Sequence, residues 1–298
     1  MNFWRATKTI LKISFTALAL YWVFSKVEPR DLHQALLQSN PLFLILAFIA
    51  YSCSVVIGSS RLNGFFGGVG LRLSERYNFK LYLLGLFYNL FLPGGVGGDG
   101  YKVYFLRRKF EVKGRRLLTA VFFDRLSGLW ALCVITAALI LFIPQLNIPR
   151  AIPIIGVAAG SAIYYLVIRL YFNAFSRSFL SNHIKALGVQ SMQVVCAIFL
   201  LYALGFQGKF SPYLFMFLLS SLVAIVPFTV GGLGAREMVY VYGAAYFQLD
   251  AHLAVLISLL FYLTSALLAV FGSYFILRPQ GLGEERLPDP AEIDDNPR

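Results

Sequence analysis

Apolar residues come in long unbroken runs separated by short polar and basic stretches. Runs at about 9–25, 41–60, 117–143, 151–172, 184–206 and 252–277 are each long enough to cross roughly 30 Å of hydrocarbon as a helix. They lack the short alternating segments of a membrane β-barrel. Two further runs behave differently. Residues 81–92 are apolar but too few to span, and they stop at a Pro/Gly cluster; the run at 211–226 stops at a second.

The two interruptions are copies of one motif. Residues 93–102 read PGGVGGDGYK and residues 227–236 read PFTVGGLGAR. Aligned without a gap, Pro93 meets Pro227 and Val96 meets Val230. Gly97, Gly98 and Gly100 meet Gly231, Gly232 and Gly234, and Lys102 meets Arg236. Paired broken segments in corresponding halves of a membrane chain point to a transporter-like binding site.

Loop charges give the direction of each crossing. The N-terminus carries Arg5, Lys8 and Lys12 and is expected in the cytoplasm. Arg61, Arg72, Arg76 and Lys80 are read as one cytoplasmic loop, and Lys102, Arg107, Arg108, Lys109, Lys113, Arg115 and Arg116 as another. With basic flanks on both sides, the run at 81–92 must leave on the side it entered. Of the 26 Lys and Arg, only Lys26, Arg30, Arg150 and Lys209 then lie outside, and Arg125 and Arg236 lie within the membrane. The two glycine motifs fall on opposite faces, as an inverted repeat requires. The expected fold is an all-α, polytopic membrane protein. It has about six full transmembrane helices and two re-entrant helical hairpins, in a single domain over 1–277. The Pro-rich acidic tail, 278–298, is expected to be a disordered cytoplasmic extension. The first run has the basic flank of a signal peptide, but its small residues Ala17–Ala19 sit mid-run, so an uncleaved helix is expected.

Composition agrees. Hydrophobic residues make up 58% of the chain and charged residues 13%, with a mean hydropathy of +0.70; a soluble chain would carry about a quarter charged. The net charge of +12 follows the loops, so it argues for membrane orientation and against nucleic acid. Cys53, Cys133 and Cys196 all lie in apolar runs and imply no disulfide framework. His33, His183 and His252 lack metal-ligand spacing, and no metal or cofactor is expected. Gly95, Gly97 and Gly100 match the dinucleotide fingerprint by letter only. That fingerprint needs a preceding strand, where this chain has an apolar helical run and Pro93.

The candidate site is built from the two motifs. Gly97, Gly98, Gly231 and Gly232 can offer converging backbone amides to an anion. Each motif also opens a half-helix whose positive end faces inward. Lys102 or Arg236 in such a first turn is unfavourable against the dipole, and a lipid phosphate would relieve the conflict. The competing reading makes the glycines a close-packing device and the cations interfacial anchors. Asp124 and Arg125 sit two turns inside a full crossing, where charges face a cavity or a partner. Being adjacent on a helix, they need separate partners; Asp124 with Lys102 and Glu237 with Arg236 are the expected pairings. Asp99 replaces the apolar Leu233 of the other copy and is a candidate for headgroup or proton chemistry. Asn89 and Arg61 are weaker candidates, either of which can serve to satisfy backbone groups at a helix end.

The stretch Asn89–Pro93 with GGVGGDGYK, then Asp124-Arg125-x-x-Gly128, then Pro227 with GGLGAREM, resembles the flippase-like membrane domain of lysylphosphatidylglycerol synthases. The resemblance covers about 5–277. It implies a helical domain of the bacterial inner membrane that moves lipids, or helps move them, between leaflets; other branches are associated with hopanoid or polyprenyl-linked glycolipid pathways. The synthases also carry a large soluble aminoacyl-transferring domain, for which this sequence leaves no room, so synthase activity is not expected. The implied partner is an anionic membrane lipid or lipid-linked headgroup, with a homo-oligomer or a lipid-synthesis enzyme as further partners. Two rivals stand beside a transporter: an intramembrane enzyme using Asp99 and Asp124, and a non-catalytic scaffold of a lipid-synthesis complex. The enzyme reading is weakened by the lack of a nucleophile–base pair or a clustered carboxylate motif.

Overall fold

Asn40 starts the first long helix in a way its sequence dictates. Its side-chain oxygen accepts the Leu42 N–H at 3.0 Å, and Pro41 occupies a first-turn position where no donor is needed. The computed structural model describes residues 34, 36–91, 97–223 and 235–283. Helix α1 (Pro41–Gly68) is followed by α2 (Glu75–Phe91), α3 (Gly97–Phe110), α4 (Gly114–Ile140) and α5 (Ala151–Tyr171). A single turn at Asn173–Ser176 leads to α6 (Phe179–Ala203), α7 (Phe210–Val223), α8 (Ala235–Phe247) and α9 (Ala251–Val270). The described residues contain no strand.

Five segments are long and apolar enough to cross a membrane: Pro41–Gly68, Gly114–Ile140, Ala151–Tyr171, Phe179–Ala203 and Leu253–Leu277. They coincide with five of the six predicted crossings. The sixth, at 9–25, lies outside the described residues, as do the tips of both glycine motifs at 92–96 and 224–234 and the tail from 284 onward.

Two layers of apolar contact hold the bundle together. Helices α1 and α6 run antiparallel along most of their length, with Phe43 stacked on Tyr202 at one end (ring centroids 5.2 Å) and Gly64 against Asn182 at the other. Around them Tyr51, Phe217 and Phe261 close one core that includes α7 and α9. A second core gathers Phe65, Phe66, Leu81, Phe87, Leu106 and Phe123 from α1 to α4. Helix α5 stands at the periphery against α4 and exposes Ile152, Ile155, Ile163 and Leu170, as a lipid-facing helix does.

Each interrupted run forms a pair of packed helices. In the first, the Tyr88 and Tyr101 rings lie 4.4 Å apart, and Lys109 Nζ donates to the Tyr77 hydroxyl at 3.1 Å. The arms α2 and α3 are therefore antiparallel, and their basic ends come together. In the second, Phe215 of α7 meets Phe247 of α8 at 6.0 Å. Helices α3, α7 and α8 have 14, 14 and 13 residues. At 1.5 Å per residue the described part of each is about 20 Å long, shorter than the hydrocarbon is thick.

Two expectations from charge counting are corrected. Arg61 is not in a loop, because α1 continues to Gly68 and carries it into the interior. Lys102 is not a solvated loop cation either; it lies buried in α3. Counting cations treats every one as exposed, and these two escape the count because each faces a carboxylate. The start of the stretch expected to be a disordered tail is described. Pro279–Leu282 forms a short turn that buries Leu282, and Lys80 Nζ donates to the Gly281 carbonyl at 2.9 Å.

Candidate functional site

Three helices bring five charges into one buried cluster. Helix α4 supplies Asp124 and Arg125, which point to different sides as neighbours on a helix must. Asp124 turns toward α1 and is gripped by Arg61, whose Nε and Nη2 donate to its two oxygens at 2.8 and 3.2 Å. Arg125 turns toward α3, where its Nε and Nη2 donate to Asp99 Oδ2 at 2.8 and 2.7 Å. Asp99 also receives Lys102 Nζ on its other oxygen at 2.7 Å. Asp99 and Lys102 are 4% exposed, Arg61 and Asp124 6%. The Arg125 side chain, by contrast, is 53% exposed.

The expected partner of Asp124 was Lys102, and the structure corrects this. Asp124 belongs to Arg61, 63 residues earlier, and Lys102 belongs to Asp99, three residues away on its own helix. The conflict of Lys102 with the α3 dipole is likewise answered within the chain. Asp99 in the first turn is favoured by the positive helix end and neutralises Lys102 directly. Lys102 also lies over the Tyr82 ring of α2, with Nζ 4.8 Å from its centroid, a cation–π arrangement.

The glycines have distinct roles. Gly98 sits where α3 crosses α2, and a Cβ there would overlap the Gly85 carbonyl. Its N–H is already taken by Asn89 Oδ1 at 2.8 Å. Gly98 is thus a packing residue, which corrects its expected role as an amide donor to a ligand. Asn89 caps it through Oδ1. Asn89→Ala is expected to lower stability by about 1 kcal/mol, read as a lower unfolding midpoint in detergent. Gly128, one turn beyond Asp124 on α4, leaves room for Arg61; a Cβ would stand 3.3 Å from its Nη1. Gly97 opens α3 half-buried. Gly231 and Gly232 lie outside the described residues, as do the side chains of Arg236 and Glu237, so their expected pairing is not described.

Arg61 is the site residue that sequence reasoning undervalued. A signal was available: position 61 continues an apolar helical run beyond the length needed to cross, and an arginine there has to find a counter-ion. Among the described residues no group of His, Cys, Asp and Glu has the arrangement of a metal site.

Among the described residues, three cations face two carboxylates in the cluster. Its exposed member, Arg125, lies at the edge of the helix packing. No individual curated protein matches the chain. Residues 9–272 match the lysylphosphatidylglycerol synthase TM region, and with its apolar helices the chain is a multi-pass membrane protein belonging to that family.

Proposed function

We propose that this chain is a lipid transporter of the flippase type, not an enzyme, and that it binds an anionic lipid headgroup at the Asp99–Lys102–Arg125 cluster. The carrying observation is the exposed guanidinium of Arg125, set in a cluster where the described residues bring three cations against two carboxylates. An exposed cation inside a bilayer is costly unless it faces an anion or water. A phosphate-bearing headgroup supplies that anion, and Arg125 has the fork geometry for it.

The hairpins give the cluster its depth. Asp124 lies ten residues into α4 and Lys102 eight residues before the end of α3. The basic ends of these helices sit at one face, so the cluster lies about 12–15 Å in, near the middle of a 30 Å core. Arms this short favour a re-entrant hairpin over a full crossing. The second hairpin, α7 and α8, would approach from the other leaflet in an inverted repeat, and its Gly231, Gly232, Arg236 and Glu237 would complete the cradle. With the basic loops cytoplasmic, both termini of this bacterial inner-membrane protein face the cytoplasm. Asp99 and Asp124 are each held by a cation, which suits charge pairing better than general-base chemistry on a lipid.

Reconstitution into liposomes carrying fluorescent phosphatidylglycerol tests this reading. The protein should accelerate transfer between leaflets, and Arg125→Gln and Asp99→Asn should slow it at least about tenfold at unchanged expression. Rates equal to empty vesicles would reject it.

A further inference from the structure

Helices α4 and α5 diverge along their shared face and leave a groove. Its first part, about 380 Å³, is lined by Leu126, Trp130, Cys133, Gly156, Gly160 and Tyr164 among others. A second part of about 370 Å³ shares Val134 and Val157 with the first and continues to Leu141 and Pro153. From Leu126 to Leu141 the channel is about 22 Å long, more than one leaflet of hydrocarbon. Gly156 and Gly160 have the spacing that lets helices touch in membranes, yet nothing comes within 4 Å of where a Cβ would stand on either. They widen the groove.

We infer that this groove seats an acyl chain of the lipid whose headgroup meets Arg125, an inference that rests on the proposed function. The width decides against a helix as occupant. Trp130 Nε1 donates to Ser161 Oγ at 2.8 Å and ties the two helices together beneath the groove, so an element 10–12 Å wide cannot sink between them. A polymethylene chain can.

The polar end of the groove points the same way. Arg125 precedes Leu126 in the chain and lies one turn below Leu129, another lining residue, so the anionic end of a seated lipid falls beside the exposed guanidinium. At this same end the Tyr164 hydroxyl is buried and without a hydrogen-bond partner among the described residues. His183, 3% exposed, lies behind it; its ring is 5.2 Å from Tyr164 and 5.0 Å from Trp130. Its Nδ1 meets the Phe179 carbonyl at 2.6 Å and must carry the proton, which leaves Nε2 a buried acceptor with no partner. Tyr164 lines the groove and His183 stands one layer deeper, so two buried polar atoms lie behind the wall at this end.

The test uses the full chain in nanodiscs with phosphatidylglycerol carrying a diazirine midway along one acyl chain. Irradiation should label residues of α4 and α5 that line the groove. Gly156→Leu with Gly160→Leu should cut that labelling at least fivefold, with an unchanged unfolding midpoint. Label confined to other helices overturns the inference, as does undiminished labelling in the double variant. Label transferred to a second copy's α5 also overturns it. The two readings fail separately. Groove labelling with leaflet transfer indifferent to Arg125→Gln keeps the acyl seat and removes the transporter site. Transfer sensitive to Arg125→Gln with label elsewhere does the reverse.

Discussion

Asp124→Leu is expected to be among the most destabilising single substitutions in the chain, at about 3–5 kcal/mol. The loss leaves Arg61 enclosed between α1 and α4 at 6% exposure, with both of its donated bonds to Asp124 gone. A guanidinium in that position can neither shed its proton nor reach water, so its desolvation is uncompensated. Arg61→Met in the same chain should recover most of the loss, because an apolar pair of similar volume replaces a buried ion pair at little or no penalty. Unfolding midpoints in detergent for the four proteins of the cycle measure the coupling. Independent, additive losses would show that the two residues act apart and that the pair is not what joins α1 to α4.

Restored stability in the double variant, with lipid transfer intact, would also separate the two halves of the cluster. Arg61 and Asp124 would then be a structural lock, while Asp99, Lys102 and Arg125 carry the headgroup. That division follows from exposure: the first pair is buried on both sides, and only the second group reaches the surface, through Arg125.

The membrane crossings were legible because hydropathy acts locally. A run such as 151–172 needs no partner to declare itself, and α5 is found at Ala151–Tyr171. The basic flanks on both sides of 81–92 pointed to two neighbouring arms, and the described α2 and α3 pack antiparallel with their basic ends together. Asp124 and Arg125 stood out as charges in an apolar run. Their partners did not, because partner choice depends on which helix faces which. Arg61 is 63 residues from Asp124, and no local rule connects them. The Asp99–Lys102 pair was within reach, since i,i+3 neighbours share a helix face. Counting Lys102 among the loop cations hides it. The glycines show the same limit. Their spacing marks a special backbone, but only the crossing of α2 and α3 distinguishes an amide offered to a ligand from a contact between two helices.

Gly98→Val should part that crossing, and Gly100→Ala should not, although both glycines belong to one motif. At Gly98 a Cβ would run into the Gly85 carbonyl, with the Asn89 oxygen 2.9 Å away. The first obstacle is backbone, so no side chain can swing aside, and α3 must shift away from α2. Such overpacking costs typically 1–3 kcal/mol or more, and here it also displaces Asp99 and Lys102, one residue and one turn further along α3. At Gly100 nothing lies within 4 Å of a Cβ, and alanine in a helix is better than glycine by roughly 0.5–1 kcal/mol. The expected order of unfolding midpoints is therefore Gly100→Ala at or above the unmodified protein and Gly98→Ala below it. Gly98→Val should come lowest, with lipid transfer falling in step with the Gly98 series alone. Equal effects at the two positions would mean that the motif acts through glycine flexibility in general and that the α2–α3 contact does not set the geometry of the charge cluster.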